Sequence, residues 1–283
     1  MTKLLITGAA GQLGRELLRF PWPEGITVLG ADRDVLDVTD EGAVQSLIGD
    51  ARPDVIVNAA AYTAVDRAEE EPELADAVNH LAVASMASAA DDIGARLIQI
   101  STDYVFDGSK DGWYVETDPV TPLGVYGATK ARGEDAARRA SRHLILRTAW
   151  VYGALGQNFV RTMLRLSRER DELGVVDDQV GCPSCTIDLA AAIAELTAEP
   201  PATELSGTFH LASPTDATWH QFACAILADV VAEGRLTVRP IPTTDYPTPA
   251  ARPANSRLDS SALEASRGIR LRPWQDALPD VVA

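Results

Sequence analysis

Hydrophobic residues in the first half of the chain fall into short runs separated by longer stretches of mixed polarity. The runs are apolar on both faces, as buried parallel strands are, and occupy residues 3–7, 26–30, 54–58, 96–101 and 143–147. The stretches between them have the spacing of amphipathic or Ala-rich helices and cover residues 12–20, 39–48, 72–93 and 126–139. The pattern therefore predicts alternating strands and helices.

Such alternation predicts βαβ units and an α/β fold with a doubly wound, Rossmann-like parallel sheet. After about residue 150 the alternation is lost and five prolines gather between residues 240 and 253, which predicts a smaller, loop-rich C-terminal lobe. We expect a dinucleotide-binding domain over residues 1–149 and a substrate-binding lobe over residues 150–283. A helical segment near residues 186–199 is a candidate to return to the first domain.

Charge and hydropathy exclude several classes of partner. The chain of 283 residues has a net charge of −16, from 41 acidic and 25 basic residues, whereas nucleic-acid binding needs a basic surface. No apolar run approaches the roughly 18 residues of a membrane span, and the first residues, MTKLLITGAAGQLG, lack the features of a signal peptide. We therefore expect a cytoplasmic protein that binds neither nucleic acid nor a membrane.

Three glycines follow the first predicted strand directly. Gly8, Gly11 and Gly14 form G-x-x-G-x-x-G at the start of a predicted helix. One glycine permits a tight turn, the next lets the backbone approach a pyrophosphate, and the third lets helix and strand pack closely. The N-terminus of the helix then offers free N–H groups and a positive dipole end to phosphate. The position between strand and helix predicts a dinucleotide site, and the spacing resembles that of short-chain dehydrogenases.

The second predicted strand ends in groups that suit either nicotinamide cofactor. Asp32 can accept hydrogen bonds from an adenosine ribose, which favours NADH, whereas Arg33 can hold a 2′-phosphate, which favours NADPH. Asp37 and Val38 follow, at a position that contacts adenine in such proteins. The choice between NADPH and NADH stays open.

Small residues close the third predicted strand. They leave room for a cofactor at the carboxyl end of the sheet, where ligands of open α/β sheets bind. Ala60 and Ala61 belong to this segment, and Tyr62 and Thr63 come next.

Tyr126 and Lys130 form Y-x-x-x-K on a predicted helix. Residues four apart share a helix face, and an ammonium beside a phenol is expected to lower the pKa of the phenol from about 10. Tyr126 would then be a usable general acid. Thr102 follows the fourth strand, so its hydroxyl is expected in the same crevice, within reach of a substrate carbonyl.

Cys182 and Cys185 form C-x-x-C. A zinc site needs four ligands, and no second C-x-x-C or His pair follows. We interpret the two residues as small loop residues at a chance spacing rather than as a redox or metal pair.

Six segments resemble the dTDP-4-dehydrorhamnose reductases, a family of extended short-chain dehydrogenases. The resemblance runs from residue 3 to about residue 274. The glycine motif and Y-x-x-x-K are general to short-chain dehydrogenases, whereas STDYVFDG and YPTPAARPANS are much more specific. The segments are RPDVIVNAAAYTAVDRAE, ISTDYVFDG, PLGVYGATK, LRTAWVYG, DDQVGCPS and YPTPAARPANSRLD.

The resemblance implies reduction of the C4 keto group of dTDP-4-dehydro-β-L-rhamnose to dTDP-L-rhamnose by NADPH or NADH. It implies that Tyr126 donates the proton and that Lys130 binds the nicotinamide ribose and tunes Tyr126. Thr102 would complete the triad, and Asp103 would lie beside the sugar.

Further contacts are implied by the same resemblance. Gln12 and Leu13 would lie along the pyrophosphate, and the nicotinamide side would be lined by residues 61–63. Trp150 would pack against the deoxysugar, with a buried core aromatic as the alternative. Arg252 would hold the diphosphate, with a solvated surface Arg as the alternative. The remaining substrate contacts would be Asn158 and Asn255.

Some members of the family bind Mg²⁺ at a dimer interface through a Glu after the glycine loop. Glu16 matches that position, which makes Mg²⁺ and a homodimer expectations. An acidic residue in a first helical turn also simply suits the helix dipole.

Two alternatives stay open at this point. A sugar-nucleotide epimerase or dehydratase shares the glycine motif and Y-x-x-x-K, and Asp103 beside Thr102 gives the dehydratase some support. A non-catalytic subunit similar to the β subunit of methionine adenosyltransferase would keep the fold without the role, but the complete triad argues against it.

Overall fold

A computed structural model describes residues 2–199 and 204–282. Its strands are β1 (Thr2–Thr7), β2 (Ile26–Ala31), β3 (Val55–Asn58), β4 (Arg96–Thr102), β5 (His143–Thr148), β6 (Val151–Tyr152), β7 (Glu172–Val176), β8 (Val180–Gly181), β9 (Ser184–Cys185), β10 (Gly207–His210), β11 (Ala217–Thr218), β12 (Thr237–Ile241) and β13 (Asn255–Ser256).

The helices begin and end close to where the sequence pattern places them in the first half. They are α1 (Gln12–Arg19), α2 (Glu41–Ala51), α3 (Val65–Ala68), α4 (Pro72–Asp76), α5 (Ala82–Ile93), α6 (Val125–Ala137), α7 (Phe159–Leu166), α8 (Thr186–Thr197), α9 (Trp219–Ile226), α10 (Ala228–Ala232), α11 (Ser261–Arg267), α12 (Trp274–Ala277) and α13 (Pro279–Val282).

A six-stranded parallel sheet forms the centre of the molecule, in the order β10-β5-β4-β3-β1-β2. Strand order reverses direction beside β1, which is the arrangement of a doubly wound sheet. The predicted fold class is therefore confirmed. Five of the strands coincide with the predicted runs, and β10 joins them from beyond the expected domain boundary.

Helices cover both faces of the sheet, so its strands are largely apolar on both sides. On one face α8 packs against α1, and Leu189 and Ile193 of α8 share a buried cluster with Leu4 and Ile6 of β1. On the other face α2 and α5 bury residues such as Ile48 and Met86. The division into residues 1–149 and 150–283 stays a prediction.

The predicted long helix over residues 72–93 is interrupted by a π-helical turn, Ala77–Leu81, between α4 and α5. The turn carries Asn79, whose backbone oxygen would lie 2.1 Å from a Cβ at Gly133 of α6. Turns of this kind often mark functional sites. Here the turn brings α6 close and points a buried amide toward the end of β3.

The C-terminal part of the chain builds a second apolar cluster from Tyr152, Val160, Phe222 and Trp274. Short strand pairs frame it, among them β7 with β12 and β8 with β13. Within residues 2–199 and 204–282, no helix has the length and apolar character to cross a membrane.

Candidate active site

The glycine loop after β1 lies against the backbone of the segment after β3, at the carboxyl edge of the sheet. Gly8 has φ +66, and a Cβ there would lie 2.5 Å from the backbone nitrogen of Ala60. A Cβ on Gly14 would lie 2.3 Å from the Gly8 oxygen. Gly11 precedes α1, and no side chain in the described part of the chain caps that helix. The loop therefore leaves first-turn N–H groups of α1, where Gln12 and Leu13 lie, to a ligand, as a pyrophosphate requires.

We expect Gly8→Ala to lower the free energy of unfolding by at least about 1–2 kcal/mol, because a left-handed backbone costs an L-residue that much. The collision with Ala60 adds to this cost. Gly49 of α2 is the matched control, since its φ is not positive and a Cβ added there would meet no atom within 4 Å. Gly49→Ala should gain up to about 1 kcal/mol. Urea unfolding of both variants tests this, and equal effects would contradict it.

The end of β2 presents both predicted cofactor-selecting groups. Oδ1 of Asp32 accepts hydrogen bonds from the backbone N–H of Asp34 (3.1 Å) and Val35 (3.2 Å). Arg33, the next residue, is exposed. Neither arrangement selects one cofactor, so the predicted choice stays open.

Asp37 and Val38 lie just beyond that turn. The hydroxyl and backbone N–H of Thr39 bind the Asp37 carboxylate and hold its pKa below the usual range. Val38 is half-buried against the cluster formed with α2. Asp37 is exposed, so the turn leaves a carboxylate at the rim of the expected adenine site.

A buried polar network fixes the end of β3. Asn58 accepts a hydrogen bond from the Thr7 hydroxyl (2.6 Å) and from the backbone N–H of Ala60 (3.1 Å), and it donates to Gln99 (2.7 Å). These bonds tie β1, β3 and β4 together at one edge. Ala60 and the half-buried Ala61 therefore leave this edge on a fixed path.

Tyr62 continues that path and is held at both ends. Asn79 accepts from its backbone N–H (2.9 Å) and donates to its carbonyl (3.2 Å), while the phenol donates to Glu71 (2.6 Å). The bond to Glu71 raises the pKa of Tyr62. Thr63 follows as an exposed residue. Sequence reasoning missed Asn79, whose only signal was a polar residue within an Ala-rich helix.

Tyr126 lies in the first turn of α6. Oε1 of Glu69 accepts the Val125 backbone N–H (2.8 Å) and so caps the helix, because acidic groups suit a helix N-terminus. Lys130 is buried one turn later, and its Nζ donates to the Ile100 carbonyl of β4 (2.6 Å). Thr102 ends the same strand. The three predicted catalytic residues are thus brought to one edge of the sheet.

The expected lowering of the Tyr126 pKa is wrong. Burial raises it to about 12, and the hydroxyl of Thr102 opposes that rise without reversing it. Burial also lowers the pKa of Lys130 to about 8, against the influence of Glu134. The ammonium is directed to the Ile100 carbonyl. Tyr126 therefore keeps its proton at neutral pH, as a proton donor needs.

Asp103 is a buried carboxyl beside the triad. Its Oδ1 accepts the Thr102 hydroxyl proton at 2.9 Å, and its side chain is enclosed, with the residue 3% exposed. Burial raises the pKa of Asp103 to about 6, although the hydroxyls of Ser256 and Thr102 favour the ionised form.

A cleft of about 560 Å³ lies between Asp66 and Tyr104 on one side and the C-terminal part of the chain on the other. Tyr104 forms part of its wall and packs edge-on against Tyr126, with ring centroids 5.3 Å apart. Tyr104 therefore connects the wall of the cleft to the predicted proton donor, Tyr126. The opposite wall includes Phe159, Met163, Arg170, Trp219, Tyr246 and Arg252.

Arg252 lines this cleft and is not a solvated surface residue. Its Nη1 and Nη2 donate to the two carboxylate oxygens of Asp66 at 2.6 and 2.8 Å. Asp66 lies on α3, so the pair joins the two walls of the cleft. The predicted diphosphate contact of Arg252 stays a prediction, and Asp66 is a partner that the sequence did not reveal.

Trp150 has φ +47, a conformation that few non-glycine residues adopt. Its indole stacks on Trp219 with centroids 3.4 Å apart, and a Cβ on Gly181 would lie 2.4 Å from it. Trp219, rather than Trp150, is among the residues that line the cleft. Sequence reasoning missed Trp219, which follows the helix-capping Thr218. Contact of Trp150 with the sugar stays a prediction.

Asn158 and Asn255 both have protein partners. Asn158 caps α7 through the Arg161 N–H and donates to Gln12 (2.9 Å) of the glycine loop. Asn255 donates to the carbonyls of Lys110 (2.7 Å) and Gly112 (2.6 Å). These bonds position loops around the cleft. Direct contact of either amide with substrate stays a prediction.

Glu16 gives no support to Mg²⁺. Its carboxylate accepts one long hydrogen bond, from the Thr186 hydroxyl at 3.4 Å. In the described part of the chain, no cluster of three or more His, Cys, Asp or Glu side chains is placed to hold a metal. The expected homodimer stays a prediction.

Cys182 and Cys185 are both buried thiols without a disulfide. Burial raises the pKa of Cys182 to about 12 and also raises that of Cys185. Because the thiolate is the reactive form, this environment suits packing residues.

The chain resembles proteins of known name along its whole length. Residues 1–283 match the family model described as RmlD substrate binding domain. The dTDP-4-dehydrorhamnose reductase of Aggregatibacter actinomycetemcomitans is 44% identical over 100% of this chain and 99% of that protein. The dTDP-4-dehydrorhamnose reductase of Sinorhizobium fredii is 44% identical over 97% of this chain and 95% of that protein.

A crystal structure of dTDP-4-dehydrorhamnose reductase from Bacillus anthracis, in complex with NADP, superposes with a TM-score of 0.92. It is 37% identical and covers 99% of this chain and 98% of that one. Identity at this level over whole chains, together with the full-length family match, leads to one conclusion: the chain belongs to the RmlD substrate binding domain family, the family of the dTDP-4-dehydrorhamnose reductases.

Proposed function

We propose that this chain reduces the C4 keto group of dTDP-4-dehydro-β-L-rhamnose to dTDP-L-rhamnose, with NAD(P)H as the reductant. The observation that carries the proposal is the meeting of Tyr126 and Thr102 at the sheet edge, with the inter-lobe cleft on one side. The relatives named above support the substrate. A non-catalytic subunit would not need all three of Thr102, Tyr126 and Lys130, so their presence favours an enzyme. The named relatives are reductases, which favours reduction over epimerisation or dehydration.

The residues at the sheet edge fit a dinucleotide. The glycine loop has no room for a Cβ at Gly8 or Gly14, and the uncapped first turn of α1 faces outward. These features suit a diphosphate, which the loop and the helix N-terminus would hold. Asp32 and Arg33 would meet the adenosine ribose. When bound, the reduced nicotinamide supplies a hydride.

We propose that both NADH and NADPH serve as reductant. Asp32 offers a carboxylate that can accept ribose hydroxyls, and exposed Arg33 offers a cation for a 2′-phosphate. The solved relative that holds NADP supports the second of these.

Each side chain of the triad then has a defined task. Tyr126 donates the proton to the sugar oxygen, because burial keeps its phenol protonated until negative charge develops there. Thr102 donates a hydrogen bond to the same oxygen and stabilises that charge. Lys130, fixed by the Ile100 carbonyl, offers its remaining ammonium protons to the cofactor ribose.

The direct test follows nicotinamide oxidation by purified protein, with the keto sugar generated in place by an epimerase from its 4-keto-6-deoxyglucose precursor. We expect oxidation with NADH and with NADPH, and dTDP-L-rhamnose as product. Reactions without the epimerase, and without this protein, are the controls. A folded protein that binds nucleotide but oxidises neither cofactor would refute the proposed substrate, and activity with only one cofactor would refute the dual preference.

A further inference from the structure

The Thr102 hydroxyl is fully engaged by the protein itself. Its single proton goes to Oδ1 of Asp103 at 2.9 Å. Its oxygen accepts the backbone N–H of Tyr104 at 3.2 Å and lies close to the Tyr126 hydroxyl. A hydroxyl has one proton and two acceptor sites, so Thr102 has no second proton for a substrate.

Asp103 is poorly solvated for a carboxylate. It is enclosed between the end of β4, the first turn of α6 and β13, and its Oδ2 is buried without a hydrogen-bond partner among the described residues. Ser256 lies nearby and favours the charged form, but no hydrogen bond of normal geometry from the described residues reaches Oδ2. The hydroxyls of Ser256 and Thr102 are therefore the side-chain support of this charge, and that of Thr102 is hydrogen-bonded directly to Oδ1.

These contacts conflict with the task assigned to Thr102 when Asp103 is ionised. Turning the hydroxyl toward a keto oxygen would remove a hydrogen bond from a buried carboxylate, and leaving a charged group unsatisfied costs more than leaving a neutral one so. A neutral carboxylic acid has a proton of its own, which it can donate to the Thr102 oxygen. The Thr102 proton is then free to point into the cleft.

We propose that Asp103 is a positioning residue whose carboxyl proton sets the direction of the Thr102 hydroxyl. Neutral Asp103 donates to Thr102 and turns the hydroxyl proton toward the keto oxygen. Ionised Asp103 instead accepts the hydrogen bond of the Thr102 hydroxyl, which then points away from the keto oxygen. The inference rests on the proposed function, in which Thr102 binds the keto group.

Other titratable groups around Asp103 stay in one state across the relevant range. Tyr104 on its own turn, Tyr126 on α6 and Cys182 beyond β8 all interact with its charge, and burial raises the pKa of each of them. Arg252 acts on Tyr104 and keeps its charge throughout. The group whose pKa lies at about 6 is Asp103 itself.

The pH dependence of kcat/KM gives the first test, because it reports ionisations of the free enzyme. Since the neutral acid is the productive form, kcat/KM should fall by up to tenfold as pH rises from about 6 to 7, below the pKa of about 8 at which Lys130 titrates. Asp103→Asn has no such ionisation and should lose this slope. Asp107→Asn, a carboxyl that instead binds Ser109 and Tyr114, should keep it. A slope that survives in Asp103→Asn would overturn the proposal.

A second readout does not depend on turnover. The carboxyl ¹³C resonance of Asp103, assigned by its loss in Asp103→Asn, reports its titration directly. Thr102→Val removes the donor to the carboxylate and should raise the pKa of Asp103, whereas Thr102→Ser keeps the hydroxyl and should leave the pKa near its original value.

An unchanged titration in Thr102→Val would overturn the coupling even in an active reductase. If Thr102→Val shows the expected pKa rise but the original chain does not turn over the keto sugar, the proposed function is refuted and the coupling stands. Loss of the rate slope together with the pKa rise supports both.

Discussion

Replacing Tyr126 by Phe should lower turnover by about 10²- to 10⁴-fold, the usual loss when a general acid is removed. The ring keeps its edge-on contact with Tyr104, so the wall of the cleft persists. Substrate and cofactor binding should therefore change much less than turnover. Steady-state oxidation of nicotinamide gives kcat, and titration of protein fluorescence gives the binding constants.

Tyr152→Phe is the matched control for this substitution. Tyr152 is buried in the C-terminal cluster, and its hydroxyl donates to the Trp274 carbonyl at 3.1 Å. Its loss should cost about 1 kcal/mol of stability and leave turnover close to that of the original chain. Near-normal turnover in Tyr126→Phe would remove Tyr126 as the proton donor. An equal loss in both variants would point to a general packing defect.

Features that depend on neighbours in the chain could be predicted from the sequence. The strands β1 to β5 follow from short apolar runs, and α2 begins after Asp40, whose carboxylate accepts the Ala43 N–H as a helix cap does. The glycine loop was recognisable because its residues stand between a strand and a helix. Tyr126 and Lys130 are four residues apart on one helix, so their common face follows from helix geometry.

Features that depend on contacts between distant segments could not be predicted from the sequence. Asp66 and Arg252 are far apart in the sequence, and nothing in the sequence around either residue shows that the two form an ion pair. Trp219 lines the cleft while it stacks on Trp150, a residue far away in the sequence. The pKa of Tyr126 was mispredicted for the same reason. The i,i+4 spacing suggested that the Lys130 ammonium lies beside the Tyr126 phenol and lowers its pKa. Burial raises that pKa instead, and the ammonium donates to the Ile100 carbonyl of β4.

The helix that carries Tyr126 is anchored by a buried ion pair. Glu134 lies two turns beyond Tyr126, and its oxygens accept from Nε and Nη2 of Arg147 on β5 at 2.8 and 2.7 Å. Both side chains are 1% exposed. Ser101 adds a third bond at 2.6 Å. Burial opposes ionisation of Glu134, but Arg147 outweighs it and the pKa of Glu134 stays low.

We expect Glu134→Ala to lower the free energy of unfolding by about 3–5 kcal/mol, because it leaves a buried guanidinium without its counter-ion. Urea unfolding measures the change. Asp135→Asn is the control on the same helix, since its carboxylate is 73% exposed and pairs with Arg138. That variant should stay within about 0.5 kcal/mol of the original chain.

A double variant separates the buried charge from the loss of packing. Replacing Glu134 and Arg147 together by Met removes both charges and keeps most of the volume, and such replacements are often neutral or stabilising. The double variant should therefore recover most of the stability that Glu134→Ala loses. If the double variant is no more stable than Glu134→Ala, the unpaired Arg147 guanidinium does not cause the loss of stability. The anchoring of α6, and with it the position of Tyr126, would then depend on shape rather than on charge.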